Sequence, residues 1–364
     1  MADNADMRKI RILSAGILAL GLFLADSVLF GMGKMDSEIP DEISHDEQDY
    51  KGNPFKKTSP KYRLKKPSGK PAAFYETWGY VSQKYEDEYD RSSPLTDVCY
   101  FAADVNCYGE LISIPDRSKI HVDDGVKVHF VSICDSRSLT HFVISPEFPV
   151  RDRIIGDIIA AAEEFDGIQL DFELVPLRDS ALYLDFISEV KARAGEKMIS
   201  VCVPARLKRL SEDVYPYSEI AAACDRVIVM AYDEHWSGSK PGPVASTEWC
   251  GKVADYAISS IPPEKLVMGI PFYGRTWADT QTAGAWYFSG ANRIMTENGV
   301  VKVDYEDDVP RFSYRTEVGV TGYFNDAYSV LALCRLYESR GVRNVGFWRI
   351  GHEDSEFWKW LEIR

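Results

Sequence analysis

The chain has 364 residues, 45% of them hydrophobic and 12% aromatic, enough for a sizeable core in one large domain or two ordinary ones. A formal net charge of −14 argues against a general nucleic-acid binder, because phosphate contacts need a cationic surface. The seven cysteines are scattered, odd in number and without a CxxC pair, which argues against a zinc site or disulfide framework and for buried free thiols.

Near the N-terminus Arg8, Lys9 and Arg11 precede ILSAGILALGLFLA, an apolar run of fourteen residues. A basic start followed by a short apolar core is the pattern of an export signal. The run is short for a membrane span unless it is stretched past Asp26 to Phe30. Residues 1–30 are therefore read as a signal peptide or membrane anchor, which places the protein in the periplasm, the cell envelope or outside the cell. Residues 31–71 lack core-forming periodicity. Segment 36–49 holds seven acidic residues and no Lys or Arg, while segment 51–70 holds eight basic residues and no acidic one. Charge blocks with Pro, Gly and Ser predict a disordered linker, a solvated tether or a basic stretch resting on anionic lipid or wall polymer.

From Ala72 to the C-terminus, short apolar runs alternate with helical stretches. Strands are predicted over 73–81, 97–105, 126–134, 165–175, 198–205, 226–233, 266–274 and 344–351. Helices are predicted over 149–164, 180–193 and 327–340, each with apolar side chains on one face. Eight strands, most of them followed by a helix, suit a closed (β/α)8 TIM barrel over 72–364 better than an open doubly wound sheet. No G-x-G-x-x-G follows the first strand, which removes the usual nucleotide site of the open fold. The polar, Gly-rich stretch 278–325 is too long for a simple connection and reads as a small insertion after the seventh strand.

The fourth strand, FDGIQLDFELV, carries the chemistry. Its even positions are Ile168, Leu170, Phe172 and Leu174; its odd positions are Gln169, Asp171 and Glu173. Successive strand side chains alternate, so the amide and both carboxylates share one face. In a barrel, inward residues at a strand's C-terminal end line the mouth. Other strands end in Tyr232 and Asp233, in Tyr273 and Arg275, and in Trp348, as a shared cleft requires. Two neighbouring carboxylates repel, which raises the proton affinity of one and suits it to act as a general acid. Glu173, outermost and longer, is the better acid; Asp171, set deeper, is better placed to orient a partner.

The run D166-G167-I168-Q169-L170-D171-F172-E173 resembles the D-G-x-D-x-D-x-E strand motif of glycoside hydrolase family 18, the chitinase-like enzymes. MAYD (230–233) is similar to that family's M-x-Y-D, and GFWRIG to its eighth-strand tryptophan segment. Three runs, 230–246, 261–277 and the C-terminal VGFWRIGHEDSEFW, resemble the spore-germination, cell-wall-lytic branch more closely. The resemblance implies an exported retaining glycosidase that hydrolyses β-1,4 bonds at N-acetylglucosamine by substrate assistance, without metal or organic cofactor. Its partner would be a polysaccharide, peptidoglycan first, with chitin or an N-glycan as alternatives. A silent carbohydrate-binding protein is the competing class. Glu173 would protonate the leaving oxygen, Asp171 hold the acetamido N–H, and Tyr232, with Asp233 alongside, its oxygen. Trp348 would floor the site, while Tyr80, Tyr273 and Arg275 serve subsites or packing and ion pairing. Gln169 departs from the pattern, standing where the motif has its middle aspartate. It is kept among the substrate-side residues as the coupling partner of Asp171.

Overall fold

The computed structural model describes residues 60–280 and 283–364; the apolar run and residues up to 59 lie outside the described residues. All eight predicted barrel strands form: β2 (Glu76–Ser82), β3 (Asp97–Val105), β5 (Lys127–Cys134), β6 (Gly167–Phe172), β7 (Met198–Pro204), β8 (Arg226–Met230), β9 (Leu266–Pro271) and β15 (Asn344–Trp348). Each pairs in parallel with the next, and β15 and β3 both pair with β2, which closes the barrel.

Two apolar layers follow from strand alternation. Outward residues such as Val98, Phe130, Ile168, Leu170, Val201 and Val229 pack against the surrounding helices. Inward residues Trp78, Tyr80, Cys99, Val131, Ile133, Cys202, Ile228 and Val267 form a smaller cluster filling the barrel. The predicted helices appear at Val150–Ala161, Ser180–Arg193 and Ala327–Ser339, and they bury the expected faces. The last is started by a capping box, in which Asp326 accepts from the Ser329 N–H and Ser329 accepts from the Asp326 N–H. Between β2, β3 and β5 the crossovers carry no α-helix: a 3-10 turn at Glu86–Glu88 in the first, and in the second the short strand β4 (Leu111–Ile112), antiparallel to β3, with a 3-10 turn at Arg117–Lys119. Those connections lack the three-to-four apolar spacing that would give a helix a face to bury.

Three details differ from the sequence reading. The first predicted strand is two: β1 (Ala72–Phe74) leaves the barrel and pairs in parallel with the C-terminal β16 (Leu361–Ile363). The seventh stops at Pro271, and Tyr273 begins a separate strand, β10 (Tyr273–Ala278). That strand belongs to the insertion, an antiparallel sheet ordered β11-β10-β14-β13-β12 with a helix at Phe288–Glu297 (β11 Ala283–Tyr287, β12 Asp304–Glu306, β13 Val309–Arg315, β14 Gly319–Tyr323). Finally, the end of the expected linker is ordered against this insertion. Tyr62 is buried among Ile294, Met295 and Phe312, and donates to Asn292 Oδ1 at 2.7 Å. Lys65 lies over the Tyr305 ring at 4.3 Å. An aromatic side chain in the basic block supplied the apolar anchor that its charge pattern concealed.

Candidate active site

The fourth strand is buried along its whole length, and its halves have different work. Asp166 accepts the Val128 N–H at 2.7 Å, fixing the strand to its neighbour. Gly167 admits the His129 ring, because a Cβ there would lie 2.3 Å from Nδ1. His129 Nε2 in turn meets Asp97 Oδ1 at 2.8 Å and its ring stacks on Trp78 at 4.5 Å. The D-G pair of the motif is thus architecture. Ile168, Leu170 and Phe172 go outward to the helices, leaving Gln169, Asp171 and Glu173 for the interior. Immediately after Glu173, Leu174 takes a left-handed conformation (φ 54°), which turns the chain away at the rim.

Asp171, Glu173, Tyr232, Asp233, Trp348 and Tyr80 line one pocket of about 240 Å³. Burial raises the Glu173 carboxyl well above the usual carboxylate range, and the charges of Asp171, Asp135 and Asp233 push it further. Asp171 is raised as well, mainly by burial, although a hydrogen bond from the Cys202 thiol opposes this. Its Oδ1 has no hydrogen-bond partner within the protein. The pair is therefore built to keep a proton near neutral pH and to let it go to something entering the pocket.

Asp233 has the opposite surroundings. Tyr273 Oη donates to its Oδ1 at 2.9 Å, and Arg275 Nη2 and Nε at 3.1 and 3.3 Å. Burial pushes the Asp233 carboxyl up, and Arg275 and Tyr273 pull it back. Asp233 also sits at φ 59°, a second left-handed residue at the mouth. Trp348 closes one side, 5.2 Å from the Tyr80 ring and edge-on to Phe101 at 4.8 Å. Tyr80 reaches the Cys202 sulfur at 3.7 Å.

Three residues expected at the substrate stand behind the pocket. Tyr273 and Arg275 are fully buried and spend their polar groups on Asp233. Gln169 lies a layer deeper, donating to Ser200 Oγ at 3.2 Å and Cys99 Sγ at 3.5 Å rather than to Asp171. Its inward side chain meets the serine of the adjacent β7 and, across the barrel interior, the cysteine of β3 before it can reach the mouth. Sequence reading missed Cys202, Met230, Arg206, Leu207 and Trp249 in the pocket wall. Cys202 and Met230 were accessible to the alternation argument already applied to the fourth strand. Arg206 and Leu207 follow a strand end, and Trp249 comes from the helix Thr247–Ser260, where local pattern gives no such signal. Glu234 also lines the pocket while accepting the Ser246 N–H at 2.9 Å, which closes its own loop.

The chain is 30% identical over 214 residues to the uncharacterized glycosylase YvbX of Bacillus subtilis (55% of this chain, 62% of the relative). It is 27% identical over 290 residues to the cortical fragment-lytic enzyme of Bacillus anthracis (73% and 67%). It thus spans between about half and two-thirds of the length of these Bacillus relatives. Its fold is similar to the crystal structure of the Bacillus cereus spore cortex-lytic enzyme SleL, with a TM-score of 0.72, 22% identity and coverage of 82% of this chain and 76% of that one. Residues 150–353 match glycosyl hydrolases family 18, and the span, over half of the chain, includes the fourth-strand carboxylates, Tyr232 and Trp348: the protein belongs to that family.

Proposed function

We propose that the protein is an exported retaining glycosidase cutting β-1,4 bonds beside N-acetylglucosamine, with peptidoglycan as its substrate. The observation that carries this reading is the Asp171–Glu173 pair, buried and half-buried respectively, raised in proton affinity and lining one pocket with Tyr232 and Trp348. In the first step the sugar's acetamido oxygen attacks its own anomeric carbon while the Glu173 carboxyl gives its proton to the leaving oxygen. Asp171 takes the acetamido N–H and balances the positive charge of the cyclic intermediate; Tyr232 donates to the acetamido oxygen and fixes its angle of attack. The Glu173 carboxylate then removes a proton from water, which adds to the anomeric carbon and opens the ring with net retention. Trp348 gives the distorted sugar an apolar floor, with Tyr80 holding its ring upright. The N-terminal basic and apolar run and the likeness to cortex-lytic proteins support an envelope substrate.

Incubating the purified full chain with peptidoglycan, chitooligosaccharides and an N-glycan, with products identified by mass spectrometry, tests both bond and substrate. Muropeptides with a new reducing N-acetylglucosamine end, absent with Glu173→Gln, are the expected result. Cleavage of chitooligosaccharides alone would move the substrate to chitin, and identical digests from the two proteins would remove the hydrolase reading.

A further inference from the structure

The third barrel strand ends beside the acid. β5 and β6 pair in parallel with Ile133 opposite Asp171 and Cys134 opposite Phe172. The register runs one step further, because the Glu173 N–H donates to the Cys134 carbonyl at 2.8 Å. Asp135 therefore stands opposite Glu173. Along β5, Phe130 and Cys134 pack outward while Val131 and Ile133 pack inside the barrel, so Asp135 has the inward parity. On the far side, Asp104 of β3 is opposite Ile133, and its neighbours Ala103 and Val105 point outward. One rim thus gathers Asp104, Asp135, Asp171 and Glu173.

We propose that Asp135 is a positioning residue for the Glu173 proton: a solvent-exposed carboxylate on the adjacent strand that keeps the acid protonated and so sets the upper pH limit of catalysis. The other groups facing Glu173 are Asp171 on its own strand, Asp233 beyond β8, the phenols of Tyr215 and Tyr232, and the Cys202 thiol. Asp171 is buried and itself raised in proton affinity, and Asp233 is countered by Arg275. Arg206, the guanidinium in the pocket wall, is held by Asp213 at 3.0 and 2.9 Å. Asp104 is pushed up to about 6 by burial; the Val105 N–H hydrogen bond pulls it back, and Asp135 adds a smaller upward push. Of these anions, Asp135 is the one open to water, and it forms no ion pair among the described residues; a like charge next to Glu173 favours the protonated acid.

The inference rests on Glu173 being the acid. The test is the pH dependence of peptidoglycan hydrolysis by the full chain carrying Asp135→Asn. An acid is active below its own proton affinity and fails above it, so removing the neighbouring charge must move the alkaline limb to lower pH. The expected displacement is about half to one pH unit, as befits an exposed charge one strand away. Because the limb belongs to the coupled Asp171–Glu173 pair, the whole limb moves. Asp135→Glu keeps the limb in place. Raising ionic strength to about 1 M moves the wild-type limb the same way and leaves the asparagine variant nearly still. An unmoved limb overturns the proposal. So does loss of rate at every pH, or a higher KM at every pH with no change of limb, since either makes Asp135 a substrate contact. Full activity of Glu173→Gln would instead overturn the assignment of the acid, so the two failures are distinct.

Discussion

At the end of the fourth barrel strand Glu173 faces Asp171, Asp135 and Asp233, whereas at the end of the sixth Asp233 receives Arg275 and Tyr273 within 3.3 Å. Both carboxylates line the wall of one pocket, Asp233 buried and Glu173 half-buried. The first environment penalises the charged form and has nothing to offset it; the second supplies a guanidinium and a phenol in compensation. The difference shows how one barrel mouth can hold one carboxyl that resists ionisation and another whose charge is compensated. What separates them is the company each keeps rather than the residue type.

The comparison is broken most severely at the donor. Glu173→Gln should lower kcat by about two to four orders of magnitude while leaving the folded barrel intact, read as turnover beside a thermal melt. Next comes the anchor. Arg275→Met strands the buried Asp233 charge and should cost about 3–5 kcal/mol at pH 8. At pH 5 the loss should shrink, because Asp233 without its guanidinium takes up a proton; urea denaturation at the two pH values decides it. Equal losses would show that Arg275 works through packing alone.

Tyr273→Phe removes one hydrogen bond to the same carboxylate and should cost about 1.5–3 kcal/mol, again by urea denaturation. A smaller effect has the opposite sign. A carboxyl whose proton affinity is raised by folding contributes stability below its unfolded pKa and loses it as pH rises through the folded value. Glu173→Gln should therefore match the wild type near pH 4 and exceed it at pH 8, by about 1.4 kcal/mol for each unit of upward shift. Melting curves that stay parallel at both pH values would mean the folded barrel does not resist ionisation there. The smallest change is Gln169→Asp, which places a titrating group beneath Asp171 and should displace the pH–rate profile by about a unit or less. An unchanged profile would show that this buried layer is uncoupled from the acid.

Much of this arrangement is legible in sequence because the barrel repeats one rule. Apolar runs gave all eight strands, and alternation placed Asp171 and Glu173 in the mouth. Composition and alternation were silent where the partner is remote. The Ala72–Phe74 strand pairs with residues near the other end of the described chain, and Tyr62 owes its burial to a helix beyond residue 288. The roles of Tyr273 and Arg275 depended on the strand break at Phe272, which swings them behind Asp233 instead of along the barrel. Asp135 was in reach of the strand-end rule, but it falls one residue past an otherwise apolar run and was passed over.

The cysteines carry a consequence for experiment. Six of the seven thiols are buried and only Cys107 is exposed. Burial pushes Cys134 and Cys224 up to about 12 and the remaining buried thiols higher still, so they are protonated as well as hidden. A thiol reagent should thus modify the native protein once and then wait for the structure to open. Cys99 and Cys202 lie in the inner layer; Cys134, Cys224, Cys250 and Cys334 lie between barrel and helices. The order in which these positions acquire label would report, without any engineered probe, whether the helices peel from the barrel before the barrel itself comes apart.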